Sequence, residues 1–368
     1  MNSLVQTPLV AIGGVFVLGI IFISVFWDKN KKIVVGGFCL LIFALGMYRY
    51  KVVEQPAELV WGAVAPQTSS AFLRPLREKL SESIDAFLSP PQSALLAGIM
   101  LGDTDGFSKE FKQKLNRSGT RHITAVSGMN VMILAEMIIG LGIILGMWRG
   151  QAFYFALAVI VAYIIMVDAP PSAIRAGIMG CIVLFAEKIG RLSQAQRLLV
   201  IAATIMLAFN PLLFKFDIGF QLSFLATFGI AKLYQWFYEK FSWIPNWLQM
   251  RSVTAMTFPA VIFTAPIIAY NFGQLSLIGL FANILIVPII PLIFSFGFFA
   301  GIFAIIFEPL GQAVFSPVWL LLTYVYQIIE KSSALPLAAI EVESFPWYFV
   351  VLYFVLLWWG IKKFKLER

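Results

Sequence analysis

Charged residues and histidine are scarce in this chain. Only 12% of the 368 residues are charged, whereas 60% are apolar and the mean hydropathy is +0.87. Soluble domains carry about 25% charged residues, so the composition excludes a soluble protein. The single histidine, His122, excludes a histidine-rich two-metal centre. A GxxxxGKS/T loop is also missing, and with it any visible nucleotide-driven motor.

Long uncharged runs dominate the sequence instead. Five of them approach the roughly 20 residues that a helix needs to cross hydrocarbon: 8–27, 150–167, 198–214, 309–329 and 344–361. The two cysteines, Cys39 and Cys181, lie in apolar segments and are not expected to form a disulfide. Because only helices satisfy all their backbone groups within such runs, we expect an all-α polytopic integral membrane protein.

Basic clusters between the runs predict the orientation. Lys and Arg gather in the cytoplasmic loops of inner-membrane proteins. The clusters are Lys29, Lys31 and Lys32; Lys188, Arg191 and Arg197; and Lys362, Lys363, Lys365 and Arg368. All three are cytoplasmic only if the N-terminus lies outside and the number of crossings is odd. We therefore predict about 11 transmembrane helices, with the exact count in 252–330 open.

Two prolines complicate the longest uncharged stretch. Residues 252–307 contain no charge and are too long for one crossing, and the turn signal at 271–274 divides them. Pro288 and Pro291 interrupt the second part. The sequence thus predicts a re-entrant or broken helix between residues 275 and 307.

The predicted crossings divide the chain into four regions. Residues 1–51 form a two-helix membrane anchor, which we expect to be retained because no small-residue cleavage site follows the first run. Residues 52–121 form an extracytoplasmic region, and residues 122–310 form the transmembrane core. Residues 311–368 form the last transmembrane helices and a basic cytoplasmic tail.

An amphipathic basic helix is predicted within the extracytoplasmic region. Phe107, Phe111 and Leu115 recur at i, i+4 and i+8. The basic residues around them are Lys109, Lys112, Lys114, Arg117 and Arg121. Two interpretations are open: an interfacial helix that lies on anionic headgroups, or a basic mouth that attracts the phosphates of nucleic acid.

Several sequence blocks resemble the ComEC competence family. The blocks are LLAGIMLGD (95–103), NRSGTRHITAVSGMNVMIL (116–134), PPSAIRAGIMG (170–180) and DIGFQLSFLATFGI (217–230). They follow the order of the family's Ser-Gly-x-Ser/Thr-His, Ala-x-Ser-Gly-x-His, Ser-x-x-Arg-Ala and Asp-Pro-Gly-Phe-Gln-Leu-Ser-Phe motifs, and the resemblance covers roughly residues 93–307.

The resemblance implies a channel that passes single-stranded DNA across the bacterial cytoplasmic (inner) membrane during natural transformation. Residues 122–310 would then be the competence-type channel core, in contact with membrane lipids. It implies a separate DNA receptor, a separate nuclease and a cytoplasmic helicase or ATPase as partners, with the oligomeric state open. The candidate residues of the DNA path are His122, Ser127, Gly128, Asn130, Arg175, Asp217, Gln221, Ser223 and Asn283.

This sequence also departs from the family pattern. Members usually carry an oligonucleotide-binding-like domain and often a metallo-β-lactamase-like domain, and the sequence leaves room for neither. Asn130 stands where a second histidine is usual, and an amide cannot titrate. We therefore expect no catalytic residues, no metal and no cofactor.

Some alternatives stay open. Arg175 can contact phosphate or pair with Asp168 or Asp217 to hold helices together. Asn283 can line a passage or form a helix–helix hydrogen bond. The rival functions are a membrane-embedded enzyme with His122 as acid/base, and a small-molecule or lipid transporter that shares the fold. A Ser127–His122 dyad is disfavoured, because five residues along one helix place the two about 140° apart.

Overall fold

The computed structural model describes residues 67–168, 170–188, 195–209, 211–336, 338–342 and 346–363. The predicted two-helix anchor 1–51, with its basic cluster at 29–32, lies outside these residues, and so do Arg191 and the tail from 364 onward. Of these described residues, those up to 200 and those from 218 onward belong to one compact unit, and those between 201 and 217 belong to a second.

Helices make up most of the described chain. In chain order they are α1 (Gln67–Phe87), α2 (Gln92–Leu101), α3 (Lys109–Arg117), α4 (Gly128–Ile144), α5 (Arg149–Met166), α6 (Pro171–Lys188), α7 (Ala195–Phe209), α8 (Leu213–Phe216), α9 (Ile218–Lys240), α10 (Met250–Phe272), α11 (Gly279–Ile286), α12 (Ile290–Ile306), α13 (Gly311–Ala334) and α14 (Trp347–Lys363). Short 3-10 turns lie at Arg121–Thr124, Trp247–Gln249, Val287–Ile289 and Glu308–Leu310. Two strands, β1 (Gln274–Ser276) and β2 (Ala339–Glu341), pair antiparallel with Leu275 opposite Ile340.

Four helical segments of the described chain are long and apolar enough to cross a membrane. They are Arg149–Met166, Met250–Phe272, Gly279–Ile306 and Gly311–Ala334. The all-α membrane architecture is therefore supported, whereas the predicted count of about 11 crossings is not confirmed. The shorter apolar helices are Gln92–Leu101, Gly128–Ile144, Ser172–Ile182 and Leu199–Ala208.

The segment with the two prolines consists of two α-helices joined by a short 3-10 turn. Helices α11 and α12 follow one another through the 3-10 turn Val287–Ile289, which contains Pro288. Pro291 occupies the first turn of α12, where the missing N–H costs no helical hydrogen bond. The broken-helix interpretation of residues 275–307 is thus the one that the structure adopts.

Large apolar side chains cover the outside of the long helices. On α13, Trp319 and Leu320 are 46% and 64% exposed, and on α14 the exposed fractions of Val355 and Trp359 are 59% and 57%. A helix that is apolar on its outer face as well as its inner face is typical of a lipid environment. This exposed apolar surface fits a protein whose solvent is the bilayer.

Helices α1 and α2 are packed into the main core. Leu80 and Ile84 of α1 and Leu96 of α2 are at most 2% exposed, in the same apolar cluster as Phe294 of α12. A Cβ at Gly297 of α12 would come within 2.7 Å of the Leu96 side chain, so a larger residue there would require that side chain to shift. The sidedness of residues 52–121 stays a prediction, but their described part is continuous with the helical core.

A proline in α10 explains how α14 is attached. Pro266 lacks an N–H, so the carbonyl four residues earlier, at Ile262, has no helical donor. The Tyr353 hydroxyl of α14 donates to that carbonyl at 3.0 Å. Ile361 of α14 packs with Leu233 and Phe263 in a small apolar cluster nearby. This hydrogen bond thus satisfies the carbonyl that Pro266 leaves without a donor, and it positions α14 against α10.

Candidate functional site

The predicted basic helix exists as α3, and protein covers its apolar face. Ser108 caps it by accepting a hydrogen bond from the Phe111 N–H at 3.1 Å. Phe111 and Leu115 are 7% and 1% exposed, and the Phe111 ring stacks on Tyr326 of α13 with centroids 5.8 Å apart. An interfacial helix needs a free apolar face to insert into lipid. Since the apolar face of α3 is covered by protein, α3 is not placed to insert that face into lipid, and the basic mouth stays a prediction.

The basic residues of this helix divide into two groups. Lys114 pairs with Glu110 at 3.0 Å and with Glu330 of α13 at 3.3 Å, and these hydrogen bonds raise the pKa of Lys114 above its ordinary value. Lys109, Lys112, Arg117 and Arg121 are exposed. Lys114 therefore attaches α3 to α13, whereas the four exposed cations form a surface that we call the basic face.

The segment after α3 is held by tight backbone packing. The hydroxyls of Ser118 and Thr120 lie 2.7 Å apart, and both residues are fully buried. Gly119 has φ +67°, and a Cβ there would lie 2.9 Å from the Gly279 Cα. The Ser276 hydroxyl donates to the Arg117 carbonyl at 2.7 Å. These contacts fix the basic face against the start of α11.

His122 and Ser127 do not form a dyad in this arrangement. His122 is exposed on the 3-10 turn Arg121–Thr124. The Ser127 hydroxyl donates to the Asn130 side-chain oxygen at 3.3 Å, one turn into α4. Gly128 is exposed and lies beside Ala176 of α6, with 3.9 Å between an added Cβ and the Ala176 Cβ. The structure thus brings the Ser-Gly pair against the Arg-Ala block that the sequence singled out separately.

Asn130 and Tyr163 donate hydrogen bonds to carbonyl groups at the end of α2. Helix α2 ends inside the core, and Gly102 and Asp103 donate their backbone N–H groups to the Gly98 and Ala97 carbonyls. The Asn130 amide donates to the Ile99 carbonyl at 2.8 Å.

The next carbonyl of this helix end belongs to Met100. The Tyr163 hydroxyl of α5 donates to it at 2.6 Å. Carbonyls at the end of a helix have no helical donor, so these two side chains supply what the helix lacks. Sequence analysis missed Tyr163, although a tyrosine in an uncharged run implies a partner for its hydroxyl.

Arg175 is buried in the first half of α6, with 5% of its surface exposed. Asp168, which was one of its two predicted partners, pairs with Arg77 of α1 instead. Asp168 therefore links the α5–α6 turn to α1. No sequence pattern indicated this pair, because its members are 91 residues apart.

The remaining path candidates lie on two other helices. Gln221 and Ser223 are half-buried on α9, and Asp217 belongs to the second compact unit. Asn283 lies on α11 and is 7% exposed, with its side-chain oxygen unpaired among the described residues. The path assignment of these residues stays a prediction. Groups of three or more potential metal ligands do not occur in the described ranges.

Comparison with known proteins gives one family and one relative. The model of the family described as "Competence protein" matches residues 99–366. A protein of Bacillus subtilis (strain 168), ComE operon protein 3, is 25% identical over 255 residues, which make up 69% of this chain and 32% of the relative. The chain thus spans about a third of that relative's length. No solved structure matches the chain.

Proposed function

We propose, from the premise that this chain belongs to the competence protein family, that it is the membrane core through which single-stranded DNA is taken up. The family membership supports a role in competence and DNA uptake, and the apolar helices are consistent with a membrane location. The channel mechanism, the strand that passes and the cytoplasmic membrane as its site are parts of the proposal.

The observation that carries the proposal is the basic face. Three of its exposed cations, Lys109, Lys112 and Arg117, lie on a helix whose apolar side is buried and whose Lys114 is already paired, and the fourth, Arg121, begins the 3-10 turn that follows. The exposed cations can neutralise the phosphates of an anionic polymer, which release counterions on binding. His122 is exposed on the 3-10 turn that follows the same helix.

The proposal assigns no catalysis to this chain. The Ser127 hydroxyl donates to the Asn130 side-chain oxygen, which supports a structural role for Ser127. A separate nuclease would degrade the second strand, and a separate helicase or ATPase would supply the work. Membrane lipids would surround the exposed apolar surface.

The proposal is tested at two levels. In a naturally competent host, deletion of the gene is expected to abolish uptake of labelled DNA past the inner membrane. In the purified chain, changing Lys109, Lys112 and Arg117 together to Gln is expected to weaken binding of single-stranded DNA. The slope of log K against log salt should fall by about 0.7 for each phosphate that is no longer neutralised, or about 2 in total.

The matched control removes exposed charge elsewhere. Arg149 at the start of α5 and Lys240 at the end of α9 are exposed, and Gln at both positions should leave the salt slope unchanged. Unchanged uptake in the deletion strain would refute the proposed function. A triple variant that binds DNA like the wild type would show that the basic face is not the DNA-binding surface.

A further inference from the structure

A polar cavity lies between α1, the end of α5 and the segment that follows α2. Its volume is about 670 Å³, within the range of small-molecule sites. The lining residues are Arg74, Arg77, Glu78, Ser81, Asp103, Met166 and Asp168. Asp103 directly follows Gly102, so the cavity adjoins the end of α2 that Asn130 and Tyr163 complete.

The chemistry of the lining residues limits which class of ligand the cavity can bind. Met166 is the one apolar residue in the lining, so an apolar ligand or a lipid tail has little to contact. Three carboxylates oppose two guanidinium groups, which disfavours a lone anion. A nucleotide carries both kinds of complement: a phosphate for arginine, and base amino groups that donate to carboxylates.

The arginines of the cavity are held in pairs that a strand can displace. Arg74 pairs with Glu78 one turn along α1, and the side chains are 74% and 61% exposed. Arg77 pairs with Asp168, whose side chain is 60% exposed. The Arg74–Glu78 pair is exposed and contributes little to stability, so exchanging its carboxylate for a phosphate costs little. The Arg77 side chain is 26% exposed, so the same exchange there requires a new donor for Asp168, which a base amino group supplies. Both arginines line one cavity and lie three residues apart on one helix face.

We propose that this cavity is a second binding site for the strand, in which Arg74 and Arg77 hold phosphodiesters while Asp103 and Asp168 accept hydrogen bonds from base amino groups. The inference rests on the proposed function and adds a site of which only Asp103 belongs to one of the sequence blocks given above. It predicts that the strand contacts α1 as well as the basic face of α3.

The first test measures the salt dependence of binding in the full chain, purified in lipid nanodiscs, with a single-stranded oligonucleotide of mixed sequence. Changing Arg74 and Arg77 together to Gln should lower the slope of log K against log salt by about 1.4, which is about 0.7 for each phosphate contact. Lys79→Gln is the control, because Lys79 is exposed on the same helix but does not line the cavity. A double variant with the slope of the wild type would overturn the proposal.

The second test is protection of a cysteine. In a chain with Cys39 and Cys181 changed to Ala, Ser81→Cys should react with a membrane-impermeant maleimide and be protected by the oligonucleotide. Ser93→Cys is the matched control, because Ser93 is 2% exposed on α2 and should not react. Reaction at Ser81→Cys without protection, or no reaction, would overturn the proposal. If the wild-type chain binds no strand at all, it is the proposed function that fails.

Discussion

Tyr163→Phe isolates one hydrogen bond of the core. The change removes only the hydroxyl that donates to the Met100 carbonyl at 2.6 Å, in a residue that is 4% exposed. A buried acceptor left unpaired costs about 1–3 kcal/mol. Interhelical hydrogen bonds in membrane proteins average about 0.6 kcal/mol, but there the unfolded reference finds other partners. The Met100 carbonyl ends a helix inside the core, so we expect a loss of about 1–3 kcal/mol.

Substitutions of Asn130, which caps the same helix end, test the neighbouring hydrogen bond. Asn130→Ala removes the donor to the Ile99 carbonyl and should cost a similar amount, whereas Asn130→Asp should cost more because a carboxylate is only an acceptor. The double change with Tyr163→Phe should not be additive, since both caps complete one helix end.

The assay is reversible unfolding in mixed micelles with increasing denaturing detergent, which gives the free energy of unfolding. Tyr270→Phe is the control, because Tyr270 is 50% exposed on α10. If Tyr163→Phe changes the unfolding free energy by less than about 0.5 kcal/mol, as an ordinary surface substitution does, the Met100 carbonyl does not depend on the Tyr163 cap.

Three other features of the chain can be tested by single changes. Gly119→Ala should lower the folded level in the membrane, because a Cβ there would lie 2.9 Å from the Gly279 Cα at a φ of +67°; a wild-type level would contradict the close packing. If Arg175 guides phosphate, Arg175→Lys should retain much of the uptake per folded molecule. If Arg175 instead holds helices together through a bidentate pair with a carboxylate, the same change should lower the level of folded protein. Wild-type uptake and a wild-type folded level for Arg175→Ala would exclude both roles. A reporter fused after Arg368 should be active only as a cytoplasmic reporter, and an extracytoplasmic signal would break the odd number of crossings.

Local patterns predicted much of the helical architecture. The uncharged runs located α5, α10, α13 and α14 within a few residues, and the i, i+4, i+8 spacing located α3. The predicted transmembrane core begins at residue 122, whereas its first helix, α4, begins only at Gly128 after an extended Ser127. Backbone hydrogen bonds and side-chain periodicity are local properties, so a sequence displays them directly.

Contacts between distant segments could not be predicted in the same way. The burial of α1 and α2, the Tyr163 cap and the Arg77–Asp168 pair each depend on which helices lie together. A tyrosine in an apolar run shows that a partner is needed but not which carbonyl it is. The predicted topology made residues 52–121 an extracytoplasmic region and gave no sign that Leu80 and Ile84 of α1 would be buried in the core.

The structure predicts different effects for substitutions of Asn130 and His122: one should change the free energy of unfolding and the other DNA uptake. Asn130 is 1% exposed and its amide donates to the Ile99 carbonyl, so its substitution should act first on the free energy of unfolding. His122 is exposed and lies beside the basic face, so its substitution should act on DNA uptake while leaving stability nearly unchanged. Uptake per folded molecule, measured beside the unfolding free energy, separates the two cases. If His122→Ala lowers stability as much as Asn130→Ala and leaves uptake per folded molecule intact, the exposed end of this segment is structural too, and the strand must enter elsewhere.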